Sequence, residues 1–478
     1  MNKKRKNHRL FSGKKKKKAL KEKRRLKNEK KKLSKIKKSS KNTKLVNPDK
    51  VILVKSFGGL VDTEDKSGHI PSIFQKESKI MVEERRLLGD KPINMSKRKE
   101  RLLSPVPYYL EEDPLLAHPI RPEWSSKVDK ISHESLEQDY FNEWCERVRS
   151  CYTDDKKCII PFENNLDVWR QLWRTIEQSD IILLIVDIRN PLLHIPPSLV
   201  NDVVNNHKKK LVVVLTKIDL VSRIYVQDWI RYLKSQFPEI EDFIPFTKQP
   251  VIDDSFDPSS GGVASRRRRL KKKPKKNNVH IKSMVDNILN VCTKGFTFDK
   301  TPLDEKPGVK REAVVTIGCV GHPNVGKSSV LNSIIGTKVL SVSRTAGHTK
   351  HLQHIFLDDP YGVCVMDCPG LIFPMRQPRY MMELCGLYPI AQIRETMSAI
   401  RFLAENIKLE NLYVLKMPDW YDKGSEWTPL SLCEALGDKR GYTLSRSCGA
   451  PDVHRAGLEI IRDCVDGVVC LCFQHKFI

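Results

Sequence analysis

The chain has 478 residues and a formal net charge of +27, enough length for two or three domains and a sizeable core at about 150 residues per domain. Residues 1 to 44 hold 23 Lys or Arg against Glu22 and Glu29, and Arg266 to Lys276 adds nine more, so the rest of the chain is slightly acidic. Thirteen cysteines, an odd number without a C-x-x-C pair, argue against a secreted disulfide scaffold and a zinc module, and neither a signal peptide nor a long apolar run is present; a reduced, soluble, intracellular protein is expected.

In chain order, residues 1–44, densest at Lys14 to Lys18 and Lys30 to Lys32, have few apolar residues to bury and read as a disordered basic arm. Such an arm suits phosphate backbones bound by counterion release, or a nuclear or nucleolar address. Residues 45–134 carry several prolines and no sustained period, and read as a poorly ordered linker. From Ser135 the spacing of Leu136, Tyr140, Trp144 and Val148 predicts a helix, and Leu166 to Ile176, with Val168, Trp169, Leu172 and Trp173, predicts a second. Core packing is the expected role of these tryptophans.

Ile181 to Asp187 and Leu211 to Leu215 are short continuous apolar runs separated by a proline-rich turn and a short helix around Ser198 to Asn206. Runs of this kind alternating with helices mark a parallel sheet buried on both faces. The second run opens into Thr216-Lys217-Ile218-Asp219, and strand carboxyl ends are where a doubly wound fold binds its ligands. A carboxylate at Asp219 can accept hydrogen bonds from guanine N1–H and its exocyclic amine, a donor pair that adenine lacks, which argues against an ATPase. A helix from Tyr225 to Gln236, a strand from Phe243 to Phe246 and a helix from Ile281 to Cys292 follow, with Thr247 in the loop after that strand. Pro250 to Asn278, with Gly261-Gly262 and the block Arg266 to Lys273, reads as a long basic surface loop inserted into the domain.

The strongest local signal comes late. The apolar run Val314 to Val320 leads into Gly321-His322-Pro323-Asn324-Val325-Gly326-Lys327-Ser328-Ser329 and then into a helical pattern. A strand, a G-x-x-x-x-G-K-S loop and a helix start are the context of a phosphate-binding loop. Backbone N–H groups from Gly321 to Ser329 would surround a β-phosphate, Lys327 would reach the β- and γ-phosphates, and the Ser328 hydroxyl suits Mg²⁺. Beyond a polar segment Ser343 to Thr349, strands Leu352 to Leu357 and Gly362 to Met366 end in Asp367-Cys368-Pro369-Gly370. There Asp367 would hold Mg²⁺ through water and the Gly370 N–H would face the γ-phosphate. From Leu371 onward helical periodicity dominates, defining a C-terminal helical region over residues 372–478.

The guanine-reading tetrad precedes the phosphate loop. With Leu166 to Arg174, Asp187-Ile188-Arg189, Val315 to Gly321 and Asp367 to Pro374, this order resembles the circularly permuted GTPases associated with ribosome assembly. The resemblance implies an α/β fold: a circularly permuted P-loop GTPase domain on a doubly wound, mostly parallel sheet within residues 135–371, between the basic arm and the helical region. It also implies that Thr349 is the first-switch ligand of Mg²⁺, and that the partner of this monomer is a pre-ribosomal particle or rRNA held through the arm, in the nucleus or nucleolus, or in the cytoplasm. Membranes are not expected partners. Two positions depart from the family pattern: Thr216 stands where Asn is common, and Ala346 where Pro is common. The fifth nucleotide motif, near Thr247, is not recognisable. Leu371 occupies the place of the water-orienting glutamine of Ras-type proteins, which leaves a nucleotide-binding scaffold with negligible hydrolysis as an alternative. In relatives lacking that glutamine, an asparagine at the position of Asn324 helps hold K⁺; a local backbone hydrogen bond is the other use of its amide.

Overall fold

The structure is a computed structural model. It describes residues 53–54, 79–95, 116–123, 129–150, 161–249, 262–270, 279–296, 315–337, 353–357, 362–444 and 449–474, all within one compact unit, Leu53–Ile478. The basic arm, the first-switch segment with Ala346 and Thr349, and the block after Leu270 lie outside the described residues.

Seven strands make one sheet: β1 (Leu53–Val54), β2 (Ile181–Asp187), β3 (Lys210–Thr216), β4 (Asp242–Pro245), β5 (Val315–Val320), β6 (Gln353–Phe356) and β7 (Val363–Asp367), in the order β1-β6-β7-β5-β2-β3-β4. β7, β5, β2, β3 and β4 are parallel, while β6 and β1 form an antiparallel edge. All of β2, and β3 from Leu211 on, is buried, as expected of strands covered on both faces. The strand that feeds the phosphate loop, β5, comes late in the chain yet lies between β7 and β2. Register then aligns the chemistry: Asp187 lies opposite Thr216, and Cys319 opposite Asp367, all at the carboxyl edge of the sheet.

The helices include α1 (Lys79–Leu87), α2 (Lys130–Ser150), α3 (Leu166–Gln178), α4 (Arg223–Gln236), α5 (Val263–Leu270), α6 (Val279–Thr293), α7 (Lys327–Ile334), α8 (Arg379–Leu384), α9 (Met397–Asn406), α10 (Pro429–Arg440) and α11 (Val453–Val465). Asn165 caps α3 by accepting the Asp167 N–H, one of the donors a helix start leaves unpaired. Trp144, Phe162, Trp169 and Phe373 are core residues in edge-to-face contact at 5.2 to 5.5 Å between centroids. Ala456, Ile460, Ile461 and Cys464 on α11 are fully buried, as are Leu432 and Leu436 on α10.

Two stretches differ from their sequence reading. Part of the segment 45–134 is built into the fold: Arg401 donates to the Pro92 and Lys91 carbonyls, and the Ile93 N–H to Trp427 O. Trp144 and Trp173 donate their indole N–H to the Ala117 and Pro119 carbonyls. Short segments without a period of their own are ordered here by hydrogen bonds to distant elements. Within the basic insertion, residues 263–270 are helical, not loop. Arg267 bonds Glu459 and Asp463 of α11, and Arg266 is buried with Nη1 on Val468 O, so these two charges serve internal contacts. Among the described residues, no helix is long and apolar enough to cross a membrane.

Candidate nucleotide site

The loop between β5 and α7 has the shape its glycines require. Gly321 has φ +150, where an added Cβ would lie 2.6 Å from the Ile185 carbonyl oxygen, and Gly326 has φ +111 at the start of α7. Lys327 curls back over the loop: its ammonium donates to Gly321 O at 2.8 Å and His322 O at 2.7 Å. Burial pushes its pKa down, opposed by the charge of Asp367. Asp367 is fully buried at the end of β7. Gly370 closes the other side, its Cβ position 3.0 Å from Pro323 Cα and 3.1 Å from Lys327 Nζ.

The segment after β7 is tied to the loop by backbone, with Cys368 N–H donating to Cys319 O and Leu371 N–H to Gly321 O. Leu371, Ile372 and Phe373 then enter the core. The Leu371 side chain therefore points away from any water over the phosphates. Ser328, at the start of α7, and Asp367 supply hard oxygen donors that fit Mg²⁺. Among the described residues no cluster of three or more His, Cys, Asp or Glu is placed to hold a metal ion.

At the Thr216–Asp219 tetrad, the threonine that stands where Asn is common acquires a structural account. Thr216 Oγ1 lies 2.5 Å from Val325 O in the phosphate loop and 3.0 Å from Val186 O in β2, so one hydroxyl ties β3 to both neighbours. Lys217 adopts the left-handed conformation, φ 59 and ψ 28, and its ammonium sits 2.8 Å from Asp187 Oδ2. Asp219 accepts a 2.7 Å hydrogen bond from Thr247 Oγ1, which in turn accepts the Gln249 N–H at 3.0 Å. Thr247 lies just beyond β4 and is buried. A single hydroxyl carries this contact to Asp219, and in the sequence its only mark is a position after the next parallel strand.

Behind the loop, His322 and His194 are buried against each other with Nδ1 atoms 3.4 Å apart. Burial pushes His194 down to about 3 and His322 well below the ordinary imidazole range, the neighbouring cations adding to the effect. Both are neutral in the fold, whereas an unfolded chain takes up protons near pH 6.5. Stability is therefore fully present above that pH and falls as pH drops toward 3. By pH 5 the loss at His194 is about 2 kcal/mol, and His194→Gln is expected to flatten the decline in melting temperature between pH 7 and 5. An unchanged slope would show that His194 does not set it.

A parallel sheet with an antiparallel edge, a phosphate loop on a central strand and the Thr216–Asp219 tetrad earlier in the chain define a circularly permuted P-loop GTPase. A family model described as a 50S ribosome-binding GTPase matches residues 316–415. Guanine nucleotide-binding protein-like 1 of Mus musculus is 34% identical over 452 residues, covering 84% of this chain and 72% of that protein. The Homo sapiens protein of that name is 33% identical over 455 residues with the same coverage. GTPase LSG1-1 of Arabidopsis thaliana is 30% identical over 365 residues, 73% of this chain and 66% of its own length. The GDP-bound structure of TM YlqF aligns over 64% of this chain and 98% of its own at 16% identity, with a TM-score of 0.36. The chain belongs to the guanine nucleotide-binding protein-like 1 family of GTPases.

Proposed function

We propose that this GTPase is a nucleotide-operated switch in ribosome assembly, acting on a pre-ribosomal particle in the nucleus or nucleolus and retaining contact with it through the basic arm. Asp219 reads guanine; Gly321, Asn324, Val325, Gly326 and Ser329 wrap the phosphates; Lys327 neutralises the β- and γ-phosphates. Ser328, Thr349 and Asp367 hold Mg²⁺, and Gly370 meets the γ-phosphate. The observation that carries the switch is the path of the chain after β7: Leu371 donates its N–H to the phosphate loop, and the next residues enter the core beneath the C-terminal helices. Ordering of 367–371 by a γ-phosphate thus biases how that region meets a partner. The description of the matching family as ribosome-binding supports the class of particle.

Sedimentation of the full chain with purified pre-ribosomal particles tests this directly. Co-sedimentation is expected with a non-hydrolysable GTP analogue and release with GDP; equal association in both states would overturn the switch. Deleting residues 2 to 44 is expected to weaken RNA binding and to flatten its dependence on salt, since each neutralised phosphate releases counterions. A salt slope left intact by the deletion would remove the arm as the phosphate contact.

The buried Leu371 favours a second reading, a scaffold with negligible hydrolysis, unless the transition-state charge is met otherwise. Asn324 supplies the means. Its φ is 59, and its Nδ2 donates to Gly386 O at 2.7 Å, 62 residues on. With the donor end of the amide committed there, the oxygen end is the one available to a monovalent cation beside the phosphates. Hydrolysis is expected to run faster in potassium than in sodium at equal ionic strength, and the difference to vanish in Asn324→Ala. Equal rates in both salts, with and without particles, would put the scaffold ahead of the enzyme with a potassium-assisted step.

A further inference from the structure

A buried ion network outside the nucleotide motifs joins the base side of the site to the end of α11. Asp187, which anchors the Lys217 ammonium, is itself gripped by Arg189: the Arg189 N–H and Nε lie 3.1 Å from Oδ1, and Nη2 lies 2.8 Å from Oδ2. The remaining donors reach past the GTPase domain. Nη1 donates to Cys464 O at 2.8 Å, which also accepts the Gly467 N–H, and Nη2 to Val465 O at 3.3 Å; carbonyls at the end of a helix favour a cation. The Arg189 carbonyl accepts the Phe473 N–H at 2.9 Å, and the Tyr225 hydroxyl donates to the Phe473 carbonyl while lying 3.2 Å from the Arg189 carbonyl. Arg189 therefore holds both ends of the segment 464–473. Between those ends, the Cys470 thiol donates to the carbonyl of Leu220, the residue after Asp219.

Stability alone is a weak reason for such a network, because apolar replacements of buried ion pairs are often as stable. Geometry is a better one. Lys217 holds a left-handed conformation that L-residues avoid unless their surroundings impose it, and its ammonium is anchored on Asp187. We propose that Asp187 and Arg189 are positioning residues of the base site, which hold Lys217 beside the guanine and transmit base occupancy, with GDP or GTP alike, to residues 464–473. A ligand that orders Lys217 favours the locked network, and by linkage the locked end of α11 favours the ligand. The second switch reads the γ-phosphate instead, so the two signals are separable. The inference rests on the Thr216–Asp219 tetrad being the base site.

Hydrogen exchange on the full chain tests it. GDP and GTP are expected to slow the amides of 464–473 alike, at least threefold, whereas inorganic tripolyphosphate with magnesium, at a concentration that displaces half of the bound GDP, leaves them unchanged. Arg189→Lys keeps the charge but loses the planar fork. It is expected to bind GDP about tenfold more weakly, with a near wild-type melting temperature, and to lose the GDP-dependent protection of 464–473. Normal GDP binding with no protection of the wild-type segment would overturn the relay, as would equal protection by tripolyphosphate or full protection in Arg189→Lys. Loss of the tetrad assignment shows differently, as unchanged GTP affinity in Asp219→Asn.

Discussion

Lys327→Ala is expected to yield a folded protein whose affinity for GTP has fallen by two to four orders of magnitude. The ammonium would give charge-assisted hydrogen bonds to two phosphates, each at roughly 1.5 to 3 kcal/mol. Before a ligand arrives those donors rest on the Gly321 and His322 carbonyls, so the side chain is held in the loop and pays little ordering entropy on binding. The fold should survive, because the substitution also removes a charge whose burial is unfavourable. Titration calorimetry with GTP, alongside circular dichroism and melting temperature, checks both halves. A folded Lys327→Ala with wild-type affinity would sink the assignment of the phosphate loop.

Asp219→Asn is expected to exchange guanine for xanthine preference. Replacing the carboxylate removes the acceptor pair for the two guanine donors at a cost of about 2 to 3 kcal/mol, roughly 30- to 150-fold in GTP affinity. The new amide should recover that for xanthosine triphosphate. Thr247 favours the required orientation: its hydroxyl donates to Asp219 Oδ1, so in the variant it would hold the amide oxygen and turn the NH₂ toward the xanthine carbonyl. Competition of the two nucleotides against a fluorescent guanine analogue measures the switch, and a variant with unaltered preference would show that Asp219 does not read the base.

The legible parts of the site were those in which a short local pattern carries the chemistry. Gly321, Gly326, Lys327 and Ser328 occupy one loop whose spacing is itself the geometry, and Asp367 and Asp219 each follow an apolar run that can only be a buried strand. Thr247, Asp187 and Arg189 were harder to read as a working set. Each acts on a partner from another strand or helix, so its meaning depends on register. Asp187 touches Lys217 because β2 and β3 are parallel neighbours with Asp187 opposite Thr216. The basic insertion shows the same limit: the net charge of Arg266 to Lys276 was plain, but that Arg266 and Arg267 turn inward depends on Val468, Glu459 and Asp463, about 200 residues away.

By itself, the amino-acid sequence determined the parallel α/β class, the phosphate loop and the permuted order in which the Thr216–Asp219 tetrad precedes it. Apolar runs and glycine spacing are local properties, and motif order is visible along a line. Only the tertiary structure decided that β5 lies between β7 and β2, that Thr216 reaches the phosphate loop, that residues 79–95 and 116–123 are tied into the fold, and that Arg189 joins Asp187 to the end of α11. Each of these is a contact between residues far apart in sequence. Such contacts are selected by packing and by the need to pair every buried polar group, conditions that exist only once the chain has folded.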